Sequence, residues 1–135
     1  MRVVADSHAI YWYVISPDQL SEKALTALAQ AEDSDGIIVS ALTMPDLWMA
    51  VTRKRGARAI PSSGYEILRA ALLDPATSLD VAPLDADTWR EFEAVPHSIA
   101  DPIDGLIVAT ARALGIALVT KDRRIAEAAA VEVIW

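Results

Sequence analysis

The sequence has no cysteine among its 135 residues. Disulfide bonds and thiolate metal sites are therefore excluded, and a reducing compartment is compatible with the composition. No stretch approaches the roughly 18 uninterrupted apolar residues of a transmembrane helix, because Asp6 and His8 interrupt the apolar N-terminal segment. No cleavage site of small residues follows that segment, so no signal peptide is predicted. We therefore expect a soluble, cytoplasmic protein with no membrane contact.

Internal repeats, low-complexity tracts and linker-like segments are also missing. Apolar residues make up 53 % of the chain and charged residues 23 %, which is too apolar a mixture for a disordered protein. A chain of this length buries roughly two thirds of the surface that its unfolded state exposes, which is enough for one hydrophobic core. One domain spanning residues 1–135 is therefore predicted.

Positive charge is scarce, with 12 basic residues against 19 acidic ones and a formal net charge of −7. This balance argues against a nucleic-acid partner, because neutralisation of phosphates by basic residues normally supplies much of the affinity. The objection weakens if several acids surround divalent cations, since a carboxylate site that holds metal no longer repels phosphate.

Short apolar runs alternate with segments of helical periodicity. Strands are predicted at 2–5, 36–40, 78–82, 116–120 and 131–135. Helices are predicted between them, and their starts are indicated by Asp85, by Asp101 followed by Pro102, and by Ser63 and Glu66 at capping-box spacing. Strands that alternate with helices form a parallel sheet covered on both faces. We therefore expect an α/β fold with a central parallel sheet of about five strands.

Acidic residues follow predicted strands or open predicted helices. Asp6 comes directly after the first strand and Asp122 after the fourth, while Asp101 and Asp104 lie three residues apart at one helix start. Asp46 lies in the opening turns of another helix. Functional groups of open α/β sheets collect beyond the carboxyl ends of the strands, so all five carboxylates can converge there. Carboxylates suit Mg²⁺ and Mn²⁺, and phosphodiester hydrolysis uses such a cation to activate water.

Each of these acids also has a structural interpretation. Aspartate is a preferred N-cap, so Asp6, Asp101 and Asp122 can simply cap the helices that follow them. Asp104, at the N3 position, can close a shortened capping box with Asp101. Asp46 is harder to explain in this way, because aspartate is a poor helix former and its neighbours are apolar.

Four segments resemble the motifs of the PIN-domain family, in the family's order and with similar spacing. They are VADSHAIYWYV, VSALTMPDLW, HSIADPIDGLIVATARA and LVTKDRRI, and the closing VEVIW also fits. The likeness spans essentially the whole chain and is strongest to the single-domain branch of VapC type, many of whose members are toxins held inactive by a small antitoxin. It implies an endoribonuclease that uses Mg²⁺ or Mn²⁺ and acts as the toxin of a type II toxin–antitoxin pair.

The resemblance also implies roles for particular residues. The implied catalytic and metal-binding carboxylates are Asp6, Asp46, Asp104 and Asp122, with Asp101 as a further acid at the metal site. The hydroxyls of Ser7 and Thr120 are implied as supports for these carboxylates.

Two positions depart from the family pattern. The family usually has glutamate where this chain has Asp46, so the charge is kept but the side chain is one methylene shorter, which leaves metal affinity and metal number open. The VapC branch usually has arginine where this chain has Gly105, so a basic group near the site is lost. A PIN fold that binds RNA or protein with weak or no catalysis is therefore the alternative. A phosphatase of haloacid-dehalogenase type is disfavoured, because it needs Asp-x-Asp after the first strand and His8 stands at the second of these positions.

Two basic clusters are candidates for binding RNA phosphates. The first consists of Arg53, Lys54, Arg55 and Arg58, which equally suit the C-terminus of a helix. The second consists of Lys121, Arg123 and Arg124, and it is the better candidate because it adjoins Asp122.

Large side chains are crowded into two predicted helices, more than one small core requires. They are Tyr11, Trp12, Tyr13, Met44, Trp48 and Met49. Most are expected in the core, and the others in a groove for an antitoxin helix or a homodimer face, where aromatic residues and methionine are enriched. His97 is expected to be an ordinary polar loop residue.

Overall fold

The structure, a computed structural model, describes residues 1–53 and 59–135. Within these ranges the strands are β1 (Val3–Ala5), β2 (Ile37–Ser40), β3 (Leu79–Ala82), β4 (Leu118–Val119) and β5 (Val133–Ile134). The α-helices are α1 (Ser7–Ile15), α2 (Glu22–Glu32), α3 (Thr43–Thr52), α4 (Ser62–Leu73), α5 (Ala86–Glu93), α6 (Pro102–Leu114) and α7 (Arg123–Ala128). A 3-10 turn, Pro17–Gln19, separates α1 from α2. None of the helices in the described ranges is long and apolar enough to cross a membrane.

The five strands are all parallel and lie in the order β3-β2-β1-β4-β5. From β1 the chain builds the sheet outward through β2 and β3, and later adds β4 on the other side of β1. The direction in which successive strands are added therefore reverses between β1 and β4. Sheets of this kind bind ligands in the crevice beyond the carboxyl ends of the two strands at such a point. The predicted α/β fold with about five parallel strands is confirmed.

Successive side chains of β1 point to opposite faces of the sheet, as the pleat requires. Val3 is buried with Leu28 of α2 and Leu68 of α4 on one face. Val4 is buried with Val108 of α6 on the other face. Strands β1, β4 and β5 are apolar throughout and β2 is apolar up to Ser40, as is typical of parallel strands that helices cover on both faces, whereas the edge strand β3 includes the exposed Asp80.

The start of α4 differs from its prediction. Ser63 is predicted to cap the helix with Glu66 at capping-box spacing, but the helix already includes Ser62, and Pro61 occupies the N-cap without a side-chain bond. The capping-box prediction is wrong, because Pro61, with φ −70° and extended ψ, leads the chain into the helix without a hydroxyl cap. The predicted cap at Asp85 is confirmed by its hydrogen bond from Thr88 N at 3.0 Å.

Candidate metal centre

The carboxyl ends of β1 and β4 are joined by a hydrogen bond between side chains. Asp6 follows β1 and Thr120 follows β4, and Thr120 Oγ1 donates to Asp6 Oδ2. The other oxygen, Asp6 Oδ1, accepts from Ala9 N at 2.7 Å, so Asp6 is the N-cap of α1. Asp122 N in turn donates to Thr120 Oγ1 at 3.1 Å. The Thr120 hydroxyl therefore orients Asp6 and fixes the backbone at Asp122.

Two more of the predicted site acids are N-caps. Asp122 Oδ1 accepts from Arg124 N at 2.8 Å, and Arg124 Nη2 lies 3.3 Å from Asp122 Oδ2. Asp101 Oδ1 accepts from Ile103 N at 2.8 Å. Capping does not exclude metal binding, because an ionised carboxylate has about four lone-pair sites and a cap occupies only one or two of them.

Asp104 is the carboxylate on which the charges of the others converge. It lies partly buried in the first turn of α6. Burial, followed by the negative charges of Asp101, Asp122, Asp46 and Asp6, raises the pKa of Asp104 to about 6. All five predicted acids therefore lie within electrostatic range of one another at this edge of the sheet.

Neighbouring carboxylates at this edge have pKa values shifted in opposite directions. Burial raises the pKa of Asp6 by more than the hydrogen bonds from Thr120 and Ala9 lower it. Burial also acts to raise the pKa of Asp122, but hydrogen bonds and the positive charge of Arg124 outweigh it and lower that pKa. Burial thus disfavours the ionised forms of Asp6 and Asp104, neighbouring acids add repulsion, and a divalent cation there would stabilise the ionised carboxylates.

The donor set fits a hard divalent cation, although the side chains do not form a ready-made cage. No three carboxylate or imidazole groups of residues 1–53 and 59–135 stand together in a metal-holding arrangement. Several of the carboxylates accept hydrogen bonds from helix N-terminal amides instead. Mg²⁺ nevertheless needs only one or two protein carboxylates and keeps several waters, which this group of aspartates can supply and accommodate.

Two buried hydroxyl groups at the same edge of the sheet are consistent with a polar ligand there. Ser7 Oγ, after β1, and Thr43 Oγ1, after β2, are buried and have no hydrogen-bond partner among the described residues. Buried polar groups without partners are rare, and the waters around a bound cation would satisfy them. Thr120 thus bonds to a carboxylate while Ser7 does not. Thr43 was not expected from the sequence, where only its place after a predicted strand distinguishes it.

Asp46 has no capping role. It lies in the first turn of α3, but the N-cap of that helix is Leu42, which makes no side-chain cap bond. Asp46 is partly buried, and its charge contributes to the raised pKa of Asp104. Its location beside the other acids agrees with the expectation that a purely structural interpretation explains this residue poorly.

Gly105, which stands where the VapC branch usually has arginine, lies at a close contact between two helices. A Cβ atom at this position would lie 2.9 Å from Phe92 Cε2, closer than carbon atoms approach without displacement. Gly105 on α6 therefore lets α5 pack tightly at Phe92. A larger side chain at this position requires Phe92 to move.

The second basic cluster lies beside the carboxylates. Lys121, Arg123 and Arg124 are exposed, and Arg124 is paired with Asp122. From the first cluster, Arg53 is exposed at the C-cap of α3. The prediction for Arg55, like the positions of Lys54 and Arg58, falls outside the described residues.

The crowded large side chains divide between core and surface. Tyr11 is buried, and Trp12, Tyr13 and Met44 pack partly buried against the core. Trp48 is 50 % exposed. Its ring contacts that of Tyr65 of α4 in a tilted arrangement, with centroids 5.2 Å apart. His97 is exposed in a turn, as expected of a loop residue.

Known proteins share this sequence pattern and fold. A profile of the family described as PIN domain matches residues 3–131. The chain is 35 % identical over 124 residues to Ribonuclease VapC22 of Mycobacterium tuberculosis, covering 91 % of this chain and 88 % of that protein. The fold is similar to VapBC2 from Rickettsia felis bound to a DNA fragment from their promoter, with a TM-score of 0.71, 13 % identity and coverage of 98 % and 97 %. It is also similar to the sarcin-ricin loop cleaving toxin VapC20 of M. tuberculosis, with a TM-score of 0.66, 17 % identity and coverage of 98 % and 99 %.

Proposed function

Because the chain belongs to the PIN-domain family, we propose that it is a metal-dependent endoribonuclease, the cytoplasmic toxin of a type II toxin–antitoxin pair. Its relative VapC22 is a ribonuclease that aligns over nearly the whole chain. The observation that carries the metal dependence is the grouping of aspartates at the carboxyl ends of β1 and β4, where Thr120 links Asp6 to Asp122, and where burial and four neighbouring aspartates raise the pKa of Asp104 to about 6. Strongly perturbed carboxylates in a cleft are typical of functional sites.

The carboxylates Asp6, Asp104 and Asp122 hold Mg²⁺ or Mn²⁺ in this proposal, with Asp46 and Asp101 adding negative charge around the ion. Such a cation, when bound, lowers the pKa of water and stabilises the charge that develops on the phosphoryl oxygens. The protein's own part is to orient its carboxylates. Thr120 does this for Asp6 by donating to Oδ2.

The RNA phosphates bind to the basic residues that flank Asp122. Lys121 and Arg123 are exposed there, whereas the charge of Arg124 is partly neutralised by its pairing with Asp122. Local positive charge matters because the chain carries a net charge of −7. Arg53, the C-cap of α3, and Arg55, which lies outside the described residues, are proposed as further phosphate contacts.

A small antitoxin protein and a second copy of the chain are the proposed protein partners. Their support is a set of exposed large apolar side chains, of the kind that interfaces cover. These are Trp48, Ile67, Leu73, Val81, Leu84 and Trp89. Co-expression with a small reading frame from the same operon tests the antitoxin by co-purification. Light scattering of the purified chain tests the dimer.

The nuclease proposal is tested with purified protein and a pool of random-sequence single-stranded RNA. We expect cleavage with Mg²⁺ or Mn²⁺, no cleavage with EDTA, and a loss of at least a hundredfold in Asp6→Asn. Asp87→Asn is the matched control, because it removes the same charge from an exposed aspartate on α5 whose carboxylate pairs with Arg90. Cleavage that persists in EDTA and in Asp6→Asn contradicts the proposal. A protein that folds and binds RNA without cutting it favours the binding-module alternative.

A further inference from the structure

Three aromatic side chains and one ammonium group form a chain of contacts around Trp12 of α1, with neighbouring ring planes tilted by 53° and 56°. The ring centroids of His8 and Trp12 are 5.5 Å apart, and those of Trp12 and Trp135 are 6.0 Å apart. Lys121 Nζ lies 5.7 Å from the centroid of the Trp12 ring. We call His8, Trp12, Trp135 and Lys121 the aromatic ladder.

The aromatic ladder adjoins the carboxylates that follow β1 and β4. His8 stands two residues after Asp6, and its charge lowers the pKa of that carboxyl, so the two side chains are close. Lys121 lies between Thr120, which bonds to Asp6, and Asp122. The aromatic ladder therefore borders the crevice at the ends of β1 and β4.

Packing explains only part of the aromatic ladder. Trp12 and Trp135 rest partly buried against the core and attach the C-terminal residue to α1. Neither His8 nor Lys121 belongs to that core, and Lys121 is exposed. Aliphatic side chains at positions 8 and 121 would cover the indole as well, so core packing gives no reason for an imidazole and an ammonium group there.

We propose that the aromatic ladder is a stacking platform for one base of single-stranded RNA, next to the phosphodiester held at the carboxylates. This inference rests on the proposed ribonuclease function. Bases stack on aromatic side chains through π-faces that all four share, so the platform does not select a sequence. It does select single strands, because the bases of a duplex are already stacked on each other.

Lys121 is the residue that exchanges partners when RNA binds. Its ammonium group over the partly buried Trp12 ring makes a weaker contact than a nucleobase stacked on the same ring. The flexible lysine side chain can then swing to the phosphate of the stacked nucleotide. Lys121 thereby covers the Trp12 ring when RNA is absent and supplies positive charge to the RNA phosphate when a base is stacked there. This charge matters in a chain whose net charge is −7.

The test measures binding of a short RNA oligonucleotide by fluorescence anisotropy, with one abasic site moved along the strand. All proteins carry Asp104→Asn so that the RNA is not cut. At one position the abasic site should raise the Kd about tenfold for this parent, as expected for loss of one base–aromatic stack. With Trp12→Leu added, the intact RNA should bind about tenfold more weakly and the abasic site should have no further effect. Trp12→Phe, which keeps an aromatic ring, should retain most of the affinity for intact RNA and most of the abasic effect.

Tyr13→Leu is the matched control, because Tyr13 is a partly buried aromatic residue of the same helix as Trp12 and its hydroxyl donates to Glu32 of α2. It should leave the abasic effect intact. His8→Leu serves in the same cycle if circular dichroism shows that Trp12→Leu is unfolded. The inference is overturned if no abasic position weakens binding, if the abasic effect survives in both ladder variants, or if a duplex binds as tightly as the single strand. Because binding is measured without cleavage, these outcomes are independent of whether the chain is a nuclease.

Discussion

Thr120 and Asp6 are separated by 114 residues in the sequence and are joined by a hydrogen bond from Thr120 Oγ1 to Asp6 Oδ2. The hydroxyl also accepts from Asp122 N, so one side chain connects the acids that follow β1 and β4. Such a contact fixes the direction of a carboxylate before any ligand arrives. In metal sites, mutation of the residues that orient a ligating side chain typically lowers metal affinity about 10–100-fold.

Replacing Thr120 with valine should weaken metal binding while leaving the fold intact. Valine keeps the shape of the buried side chain but cannot donate to Asp6 or accept from Asp122 N. We expect Mn²⁺ affinity, measured by calorimetry, to fall by roughly tenfold or more. Thr120→Ser keeps the hydroxyl and should retain most of the affinity. Equal affinities in Thr120→Val and the unchanged protein contradict this role.

The metal-free protein should be stabilised by Asp104→Asn, although this variant loses activity. Ionised Asp104 is destabilised by burial and by repulsion from four neighbouring aspartates, and asparagine removes the charge that both act on. The raised pKa means that folding favours the protonated form, so stability falls as pH rises from 3.8 to about 6. The melting temperature of Asp104→Asn relative to the unchanged protein should therefore increase over this pH range and stay constant above it. Added Mg²⁺ should reverse the difference at pH 7.5, and a variant that is less stable at every pH contradicts the prediction.

Lengthening Asp46 to glutamate should tighten metal binding. The family usually has the longer side chain here. In this chain Asp46 raises the pKa of Asp104 by less than Asp101 or Asp122 does. One more methylene brings the carboxylate further toward the other acids. Calorimetry with Mn²⁺ should show a several-fold lower Kd for Asp46→Glu, with Asp87→Glu on α5 as the control. An unchanged or weaker Mn²⁺ affinity of Asp46→Glu contradicts the prediction, because it means that the length of this side chain does not limit metal binding.

Introducing the arginine that is usual in the VapC branch, Gly105→Arg, should destabilise this chain. Its Cβ would lie 2.9 Å from Phe92 Cε2, and overpacking of this kind typically costs about 1–3 kcal/mol of unfolding free energy. Urea unfolding should show a smaller penalty for Gly105→Arg in a Phe92→Ala background than alone. Additive effects of the two changes would contradict a direct clash.

The fold could be predicted from the sequence because its signals are local. Apolar runs between amphipathic segments indicate the strands, and Asp101 followed by Pro102 marks a helix start that the structure retains. The start of α4 could not be predicted in the same way. Ser63 and Glu66 have capping-box spacing, but Pro61 immediately before them already directs the chain into the helix.

The neighbourhood of the carboxylates was predictable, and the contacts within it were not. Positions after strands predict which acids reach the same sheet edge, since parallel strands share their carboxyl ends. Three features depend on side-chain directions across different elements: the bond between Thr120 and Asp6, the lack of a partner for the Thr43 hydroxyl among the described residues, and the tilted ring contacts of Trp12. Periodicity along one element carries no information about those directions.

The central claim is that Asp6, Asp104 and Asp122 share one divalent cation, and anomalous scattering from crystals of the protein grown with Mn²⁺ tests it most directly. We expect one strong anomalous peak at the carboxyl ends of β1 and β4, within coordination distance of Asp6 and Asp104 and absent from crystals of Asp104→Asn. An empty crevice at saturating Mn²⁺, or a peak bound only elsewhere on the surface, would contradict the claim.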